Sequence, residues 1–201
     1  MWPVLLDDDP DTLFLGIGTL LGHRLPPTAR KIVFGSGAGY GPTPVPDDTW
    51  TIHCVRGPLT AQVMGLSPEL AITDPAILLA VIPQPQARPA TGISFMPHHD
   101  SKRRGDWAAV CALAGIRYID PAGGVQATID AIRASRLVIA EAMHAAIVAD
   151  AFRVPWIPVV CYEHILAFKW EDWCLSLGLP YRPIRLPAIG EVPATQRMRN
   201  A

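Results

Sequence analysis

The alternation of strand and helix is clearest in residues 137–152, which read LVIAEAMHAAIVADAF. The first four residues are apolar and predict a buried strand, and residues 143–152 predict a helix. Two polar side chains, Glu141 and His144, lie where the strand gives way to the helix. The same order of strand, polar turn and helix recurs along the chain, which predicts parallel α/β units.

Apolar runs on both sides of this stretch predict further strands. A proline-rich stretch, residues 82–90, lacks periodicity and predicts a linker. We therefore expect two Rossmann-like parallel-sheet halves that face a cleft, residues 1–86 and residues 87–201, the second ending in a final helix and a tail. The predicted strands are 12–17, 31–34, 50–55, 70–73, 92–96, 116–119, 137–140 and 156–160, and the predicted helices are 58–64, 106–113, 125–134, 143–152 and 164–177.

Composition excludes several classes of protein. The chain has 201 residues, a net charge of −1, 50% hydrophobic residues and 17% charged residues. These values exclude a disordered chain and give no basic excess for nucleic acid. No basic start of a signal peptide and no apolar stretch of membrane-spanning length is found. The four cysteines have no CxxC spacing, which predicts buried thiols in a cytoplasmic protein.

Arg56 follows a predicted strand and precedes a helix that Pro58 begins. A guanidinium at that place lies beside the N–H groups of a helix start, which is a site for anions. The alternative is an ordinary surface arginine that pairs with a nearby carboxylate. The sequence leaves both interpretations open.

His144 has the corresponding place in the second half, just after strand 137–140. It is a candidate general acid, because histidine is the side chain best suited to proton transfer near neutral pH. The alternative is a core histidine whose hydrogen bonds are satisfied. Glu141, at the end of the same strand, is a candidate substrate-binding residue.

Gly35, Ser36 and Gly37 lie in a glycine-rich loop that is similar to loops that cradle phosphate. The loop lacks the GxGxxG spacing and no Walker lysine follows, so a tight turn explains it equally well. Asp74, before Pro75, either positions a ligand or ends a strand by hydrogen bonding to the backbone. The candidate substrate-binding residues of these two segments are Gly35, Ser36, Gly37 and Asp74.

The loop after the first strand of the second half contains His98, His99 and Asp100, with the basic run 102–104 beyond. A metal site is one interpretation, but adjacent histidines rarely chelate one ion and no further ligand is spaced for it. We therefore predict no metal and an anion-facing or solvated loop, with His98 as a candidate substrate-binding residue. Lys169, in the final helix, either reaches the cleft or is solvated.

Several segments occur in a specific order across roughly residues 12–175. They are 15–20 (LGIGTL), 34–37 (FGSG), 55–60 (VRGPLT), 72–76 (ITDPA) and 140–144 (AEAMH), the last continuing through 149–151 (ADA) to 154–156 (VPW). Together they resemble the polysaccharide pyruvyltransferase family, in the branch that makes pyruvyl ketals on bacterial exopolysaccharides.

The resemblance implies an arrangement like that of GT-B glycosyltransferases and a ketal-forming transferase of exopolysaccharide biosynthesis. It implies phosphoenolpyruvate as donor substrate, a saccharide or lipid-linked oligosaccharide as acceptor, and no separate cofactor. The family's arginine before Gly-Pro falls on Arg56, a candidate ligand for the donor's phosphate or carboxylate. The family's histidine falls on His144 as general acid, and Lys169 corresponds to a basic residue after the last strand. The expected location is the cytoplasm, with peripheral association at the inner face of the membrane.

Family members usually begin with an extra strand and loop that nothing upstream of residue 12 supplies. We therefore expect an incomplete first half with an open sheet edge, which favours a homo-oligomer. One alternative function is a non-catalytic remnant that binds a sugar, an anion or a partner chain. Another is a nucleotide-sugar glycosyltransferase, which the missing acidic metal motif disfavours.

Overall fold

The structure is a computed structural model that describes residues 9, 11–22, 25–85 and 90–189. The described chain forms two compact units. The first unit extends to Pro75 and also contains Leu166–Tyr181, and the second contains Ala76–Ile165 and the residues from Arg182 onward. The strands are β1 (Thr12–Leu15), β2 (Arg30–Phe34), β3 (Trp50–Cys54), β4 (Ile93–Met96), β5 (Arg117–Tyr118), β6 (Leu137–Ala140), β7 (Trp156–Val160) and β8 (Ile184–Arg185), and the helices are α1 (Pro58–Val63), α2 (Trp107–Leu113), α3 (Val125–Arg133), α4 (Met143–Ala151) and α5 (Ala167–Ser176).

The first unit contains a parallel sheet in the order β1-β2-β3. Its core is built from apolar side chains of the strands and of the residues that directly follow β3 and α1, including Leu15, Val33, Val55 and Met64. The predicted strand 70–73 is wrong. One 3-10 turn covers Pro68–Leu70 and another covers Pro75–Ala80, and between them the described chain forms only one bridge pair, Val55 with Ala71. Proline begins both turns, since its fixed φ suits the start of a helical turn.

The second unit contains a parallel sheet in the order β5-β4-β6-β7-β8. Helix α4 has apolar residues on all sides and is almost entirely buried, as the quoted stretch predicts. Strand β8 was not predicted, since two residues are too few to produce a hydrophobic pattern. The two parallel sheets confirm the expected α/β class with Rossmann-like halves, whereas the GT-B arrangement stays a prediction.

Helix α5 differs from the prediction in its first residue and in the unit to which it belongs. The sequence assigned a helix over 164–177 to the second half, but α5 begins at Ala167 and belongs to the first unit. Trp170 and Trp173 on this helix are buried, and Asp172 between them is fully buried. Burial of these three side chains within the first unit explains why the chain returns to that unit at this point.

Two further expectations concern the whole described chain. The four cysteines are all buried and form no disulfide, which confirms the prediction of buried thiols. Among the residues that the structure describes, no helix has the length and apolar character needed to span a bilayer.

Candidate functional site

Arg56 lies immediately after the bridge residue Val55 and is completely buried. Its Nε donates to Asp172 Oδ2 at 2.9 Å, its Nη1 donates to Thr19 Oγ1 at 2.9 Å, and its Nη2 donates to the Ala38 carbonyl at 2.8 Å. Burial lowers the pKa of the guanidinium, and the charge of Asp172 opposes that shift. The side chain is thus held inside the first unit with none of its surface exposed, and anion binding by Arg56 stays a prediction.

Asp172 is the internal partner that the sequence did not reveal. Its Oδ1 accepts the Thr60 N–H at 2.8 Å and its Oδ2 accepts the Thr60 hydroxyl at 2.6 Å. The carboxylate therefore accepts hydrogen bonds both from the first turn of α1 and from Arg56. Asp172 and Arg56 lie 116 residues apart in the sequence. Gly57 leaves room for this approach, because a Cβ there would overlap the Asp172 backbone.

The glycine-rich loop packs against the same arginine. A Cβ at Gly37 would overlap the guanidinium carbon of Arg56, and Gly35 has a φ of 82°, a conformation that favours glycine. The Ser36 hydroxyl is buried, accepts the Leu20 N–H and donates to the Gly18 carbonyl, both at 3.2 Å. The loop thus forms internal contacts that account for its glycines, and its role as a phosphate cradle stays a prediction.

The two remaining candidates of the first unit are also inside it. Asp74 is fully buried, and its charge acts on Arg56. Lys169 is nearly buried, donates a hydrogen bond from Nζ to the Tyr40 hydroxyl, and places Nζ 4.6 Å from the centre of that ring. The alternative of a solvated lysine is therefore wrong.

Glu141 is the buried carboxylate of the second unit. It follows β6, and its side chain is completely buried. Oε2 accepts the His98 N–H and Oε1 accepts the Cys161 N–H, each at 2.9 Å. One carboxylate thereby ties the loop after β4 to the loop after β7, which makes Glu141 a positioning residue.

His144 is the second residue of α4, one turn beyond the carboxyl end of β6. It is half-buried, although most of its neighbours on the helix are buried. Strand β6 lies between β4 and β7 in the sheet. His144 therefore lies at the sheet edge where ligands of parallel α/β folds bind.

The loop after β4 carries His98, His99 and Asp100, as expected. His98 Nδ1 lies 3.7 Å from Asp100 Oδ2, and the rings of His98 and His99 lie 4.1 Å apart. Lys102 is engaged elsewhere, since its Nζ lies 2.7 and 2.8 Å from the two oxygens of Asp120.

His164, which sequence reasoning missed as a site residue, comes from the loop after β7. Its ring centre lies 5.2 Å from that of His98 and 5.8 Å from that of Tyr162. Burial lowers the pKa of His164, and the charge of Arg104 lowers it further. Only its place just beyond a predicted strand could have marked it.

A cavity of about 800 Å³ opens at this edge of the second unit. Its lining includes Arg104 from the loop after β4, Tyr162 and His164 from the loop after β7, and Arg185 from β8. The Arg104 guanidinium lies 5.4 Å from the centre of the Tyr162 ring, which holds it at the cavity wall. The lining also includes Glu163, so the two arginines leave the cavity with a net positive charge that suits an anionic ligand.

Comparison with known proteins finds relatives of this chain. A family model described as polysaccharide pyruvyl transferase matches residues 24–162. The chain is also 48% identical over 182 residues to the succinoglycan biosynthesis protein ExoV of Rhizobium meliloti (strain 1021). That match covers 89% of this chain and 58% of ExoV, so the chain spans less than two thirds of that relative.

Proposed function

The chain belongs to the polysaccharide pyruvyl transferase family, and from this premise we propose that it moves the pyruvyl group of phosphoenolpyruvate onto a saccharide diol. The product is a cyclic pyruvyl ketal on an exopolysaccharide precursor, either free or lipid-linked. Phosphoenolpyruvate is a donor substrate in this scheme, and no organic cofactor is proposed.

The reaction begins with a proton transfer, for which we assign His144. Protonation of the donor's methylene carbon gives a methyl group and an oxocarbenium-like centre at the adjacent carbon. One sugar hydroxyl forms a bond to this carbon, the bond to phosphate breaks, and the second hydroxyl closes the ring. Each of the two sugar hydroxyl groups loses one proton. One of these protons replaces the proton given to the methylene carbon, and the other leaves with phosphate.

The strongest support for this proposal comes from the two arginines that line the cavity. Phosphoenolpyruvate has a carboxylate and a phosphate, and both are best held by guanidinium groups that solvent or a ligand can reach. Arg104 and Arg185 line the cavity, whereas Arg56 is engaged inside the first unit. We assign donor binding to Arg104 and Arg185, and we assign Arg56 to positioning the glycine-rich loop.

Calorimetric titration of this chain with phosphoenolpyruvate, in buffer containing a chelator, tests donor binding. Because a hydrogen bond to a charged group contributes about 1.5–3 kcal/mol, Arg104→Gln and Arg185→Gln should each weaken donor binding roughly 10- to 100-fold. Arg117→Gln is the matched control, since Arg117 is exposed on β5. Equal affinities in all four proteins would contradict the assignment.

Release of inorganic phosphate in the presence of saccharide diols tests the chemistry separately. His144→Gln should bind phosphoenolpyruvate as the unaltered chain does and should release no phosphate. Phosphate release by His144→Gln at the unaltered rate would remove His144 from the proposed mechanism. Donor binding without phosphate release by the unaltered chain, with any acceptor, would favour the non-catalytic alternative.

A further inference from the structure

Two loops of the second unit bring three metal-ligating side chains together. His98 and Asp100 come from the loop after β4, and His164 comes from the loop after β7. One ligating atom of each lies within 4.8 Å of the other two. The sequence supplied only the adjacent pair of histidines with Asp100, and His164 is the further ligand that the sequence analysis did not find.

The spacing fits a bound cation after a small adjustment. Bonds of about 2.0–2.2 Å from a zinc-type ion to nitrogen or oxygen put ligand atoms about 3–4 Å apart. His98 Nδ1 and Asp100 Oδ2 are already 3.7 Å apart. The three side chains are half-buried, so rotation about their own bonds can close the remaining distance.

Neighbouring residues fix both loops. The two oxygens of Glu141 accept the backbone N–H groups of His98 and Cys161, one from each loop. His164 Nε2 lies 3.2 Å from the Ser101 hydroxyl, and the Trp107 indole donates to the Ser101 carbonyl at 3.1 Å. Partners of this kind orient ligand side chains around metals and hold them ready for the ion.

A second observation concerns the His164 ring. Its Nδ1 is buried and has no hydrogen-bond partner among the residues that the structure describes. A buried ring nitrogen without a partner costs free energy and is uncommon. A cation bound at Nδ1 would satisfy this nitrogen and leave Nε2 with the Ser101 hydroxyl.

We propose that His98, Asp100 and His164 bind a divalent transition-metal cation of the zinc, cobalt or nickel type. Two imidazoles and one carboxylate suit these ions better than magnesium or calcium, which prefer oxygen ligands. Three protein ligands also leave coordination positions for water or for an oxygen atom of a bound anion. The prediction of no metal rested on a missing third ligand, and His164 supplies that ligand.

Titration of the chelator-treated, dialysed chain with Zn²⁺ in a calorimeter tests this site without any substrate. We expect one Zn²⁺ per chain, and we expect His98→Ala and His164→Ala each to weaken binding at least tenfold. His53→Ala is the matched control, because His53 is exposed on β3 in the first unit. Titration with Co²⁺ adds a visible absorption band that reports nitrogen and oxygen ligation directly.

Two results would overturn the proposal: no Zn²⁺ binding by the folded chain, or binding that both His98→Ala and His164→Ala leave unchanged. If either variant fails to fold, Asp100→Asn replaces it, since this half-buried carboxylate can change without emptying the core. The inference does not depend on pyruvyl transfer. Zn²⁺ binding is measured without phosphoenolpyruvate, and donor binding is measured with a chelator present, so each can fail alone.

Discussion

The first unit buries the charged side chain that follows its strands, whereas the second unit buries Glu141 but leaves several other charged or titratable side chains accessible. In the first unit, Arg56 and Asp172 are completely shielded from solvent and bind each other. In the second unit, the side chains of His98 and Asp100 are 14% and 46% exposed, and His164 and Arg104 line a cavity. A charged residue after a strand is therefore not by itself a ligand site. An internal partner decides whether it holds the fold or remains accessible.

The largest effect should come from removing the internal partner in the first unit. Asp172→Ala leaves the Arg56 guanidinium buried without its counter-charge and removes two acceptors from Thr60. Breaking one side of a buried ion pair costs about 3–5 kcal/mol, and urea denaturation should show a loss of that size in the free energy of unfolding.

The adjacent residue on the same helix provides the control. Glu171 is exposed, so Glu171→Ala should change the free energy of unfolding by less than about 0.5 kcal/mol. Equal losses in the two variants would show that the buried pair is not what stabilises the first unit.

A smaller effect is expected at the buried carboxylate of the second unit. Glu141→Gln keeps the shape but replaces one accepting oxygen with an NH₂ group that faces the N–H of His98 or Cys161. Leaving a buried donor unsatisfied costs about 1–3 kcal/mol, measured again by urea denaturation.

This variant also tests whether Glu141 positions the loops. Because it ties the loop of His98 to the loop that leads to His164, Glu141→Gln should weaken Zn²⁺ binding although no proposed metal ligand has changed. Glu69→Gln, at an exposed position of the first unit, should alter neither stability nor Zn²⁺ affinity. Unchanged Zn²⁺ affinity in a destabilised Glu141→Gln protein would limit Glu141 to a purely structural role.

The sequence predicted the strands and helices well because each is encoded by a local pattern. Strand β6 and helix α4 appear in one sixteen-residue stretch, with Glu141 and His144 at their junction. One exception is 70–73, where an apolar run suggested a strand although 3-10 turns on both sides limit pairing to one bridge. Strand β8 and the first residue of α5 are others. The hydrophobic pattern of 70–73 does not show that a proline-initiated turn flanks it on each side.

The contacts of the site could not be predicted in the same way. Arg56 meets a carboxylate 116 residues away, on a helix that the sequence assigned to the other half of the chain. His98 likewise approaches His164 only because β4 and β7 both flank β6 in the sheet. Strand order is set by tertiary packing, so a local pattern marks candidate residues but does not identify their partners.

The smallest effect should come from an exposed ion pair in the second unit. Lys102 Nζ lies 2.7 Å from Asp120 Oδ1, but the two side chains are 37% and 43% exposed. The hydrogen bond from Lys102, helped by the Ala122 N–H, lowers the pKa of Asp120 below its ordinary value of 3.8. A lowered pKa in the folded state means that the pair stabilises the protein above the unfolded-state pKa and loses this effect as pH falls through the folded-state pKa.

Solvent screening keeps this contribution small, so Lys102→Ala should lower the free energy of unfolding at pH 7 by less than about 1 kcal/mol. The difference between Lys102→Ala and the unaltered chain should shrink in high salt and disappear at pH values well below the folded-state pKa of Asp120. The loss in Asp172→Ala should resist salt, because its partner is shielded from solvent. A salt-insensitive loss in Lys102→Ala would mean that this exposed pair behaves as the buried one does, and solvent access would then not distinguish the two units.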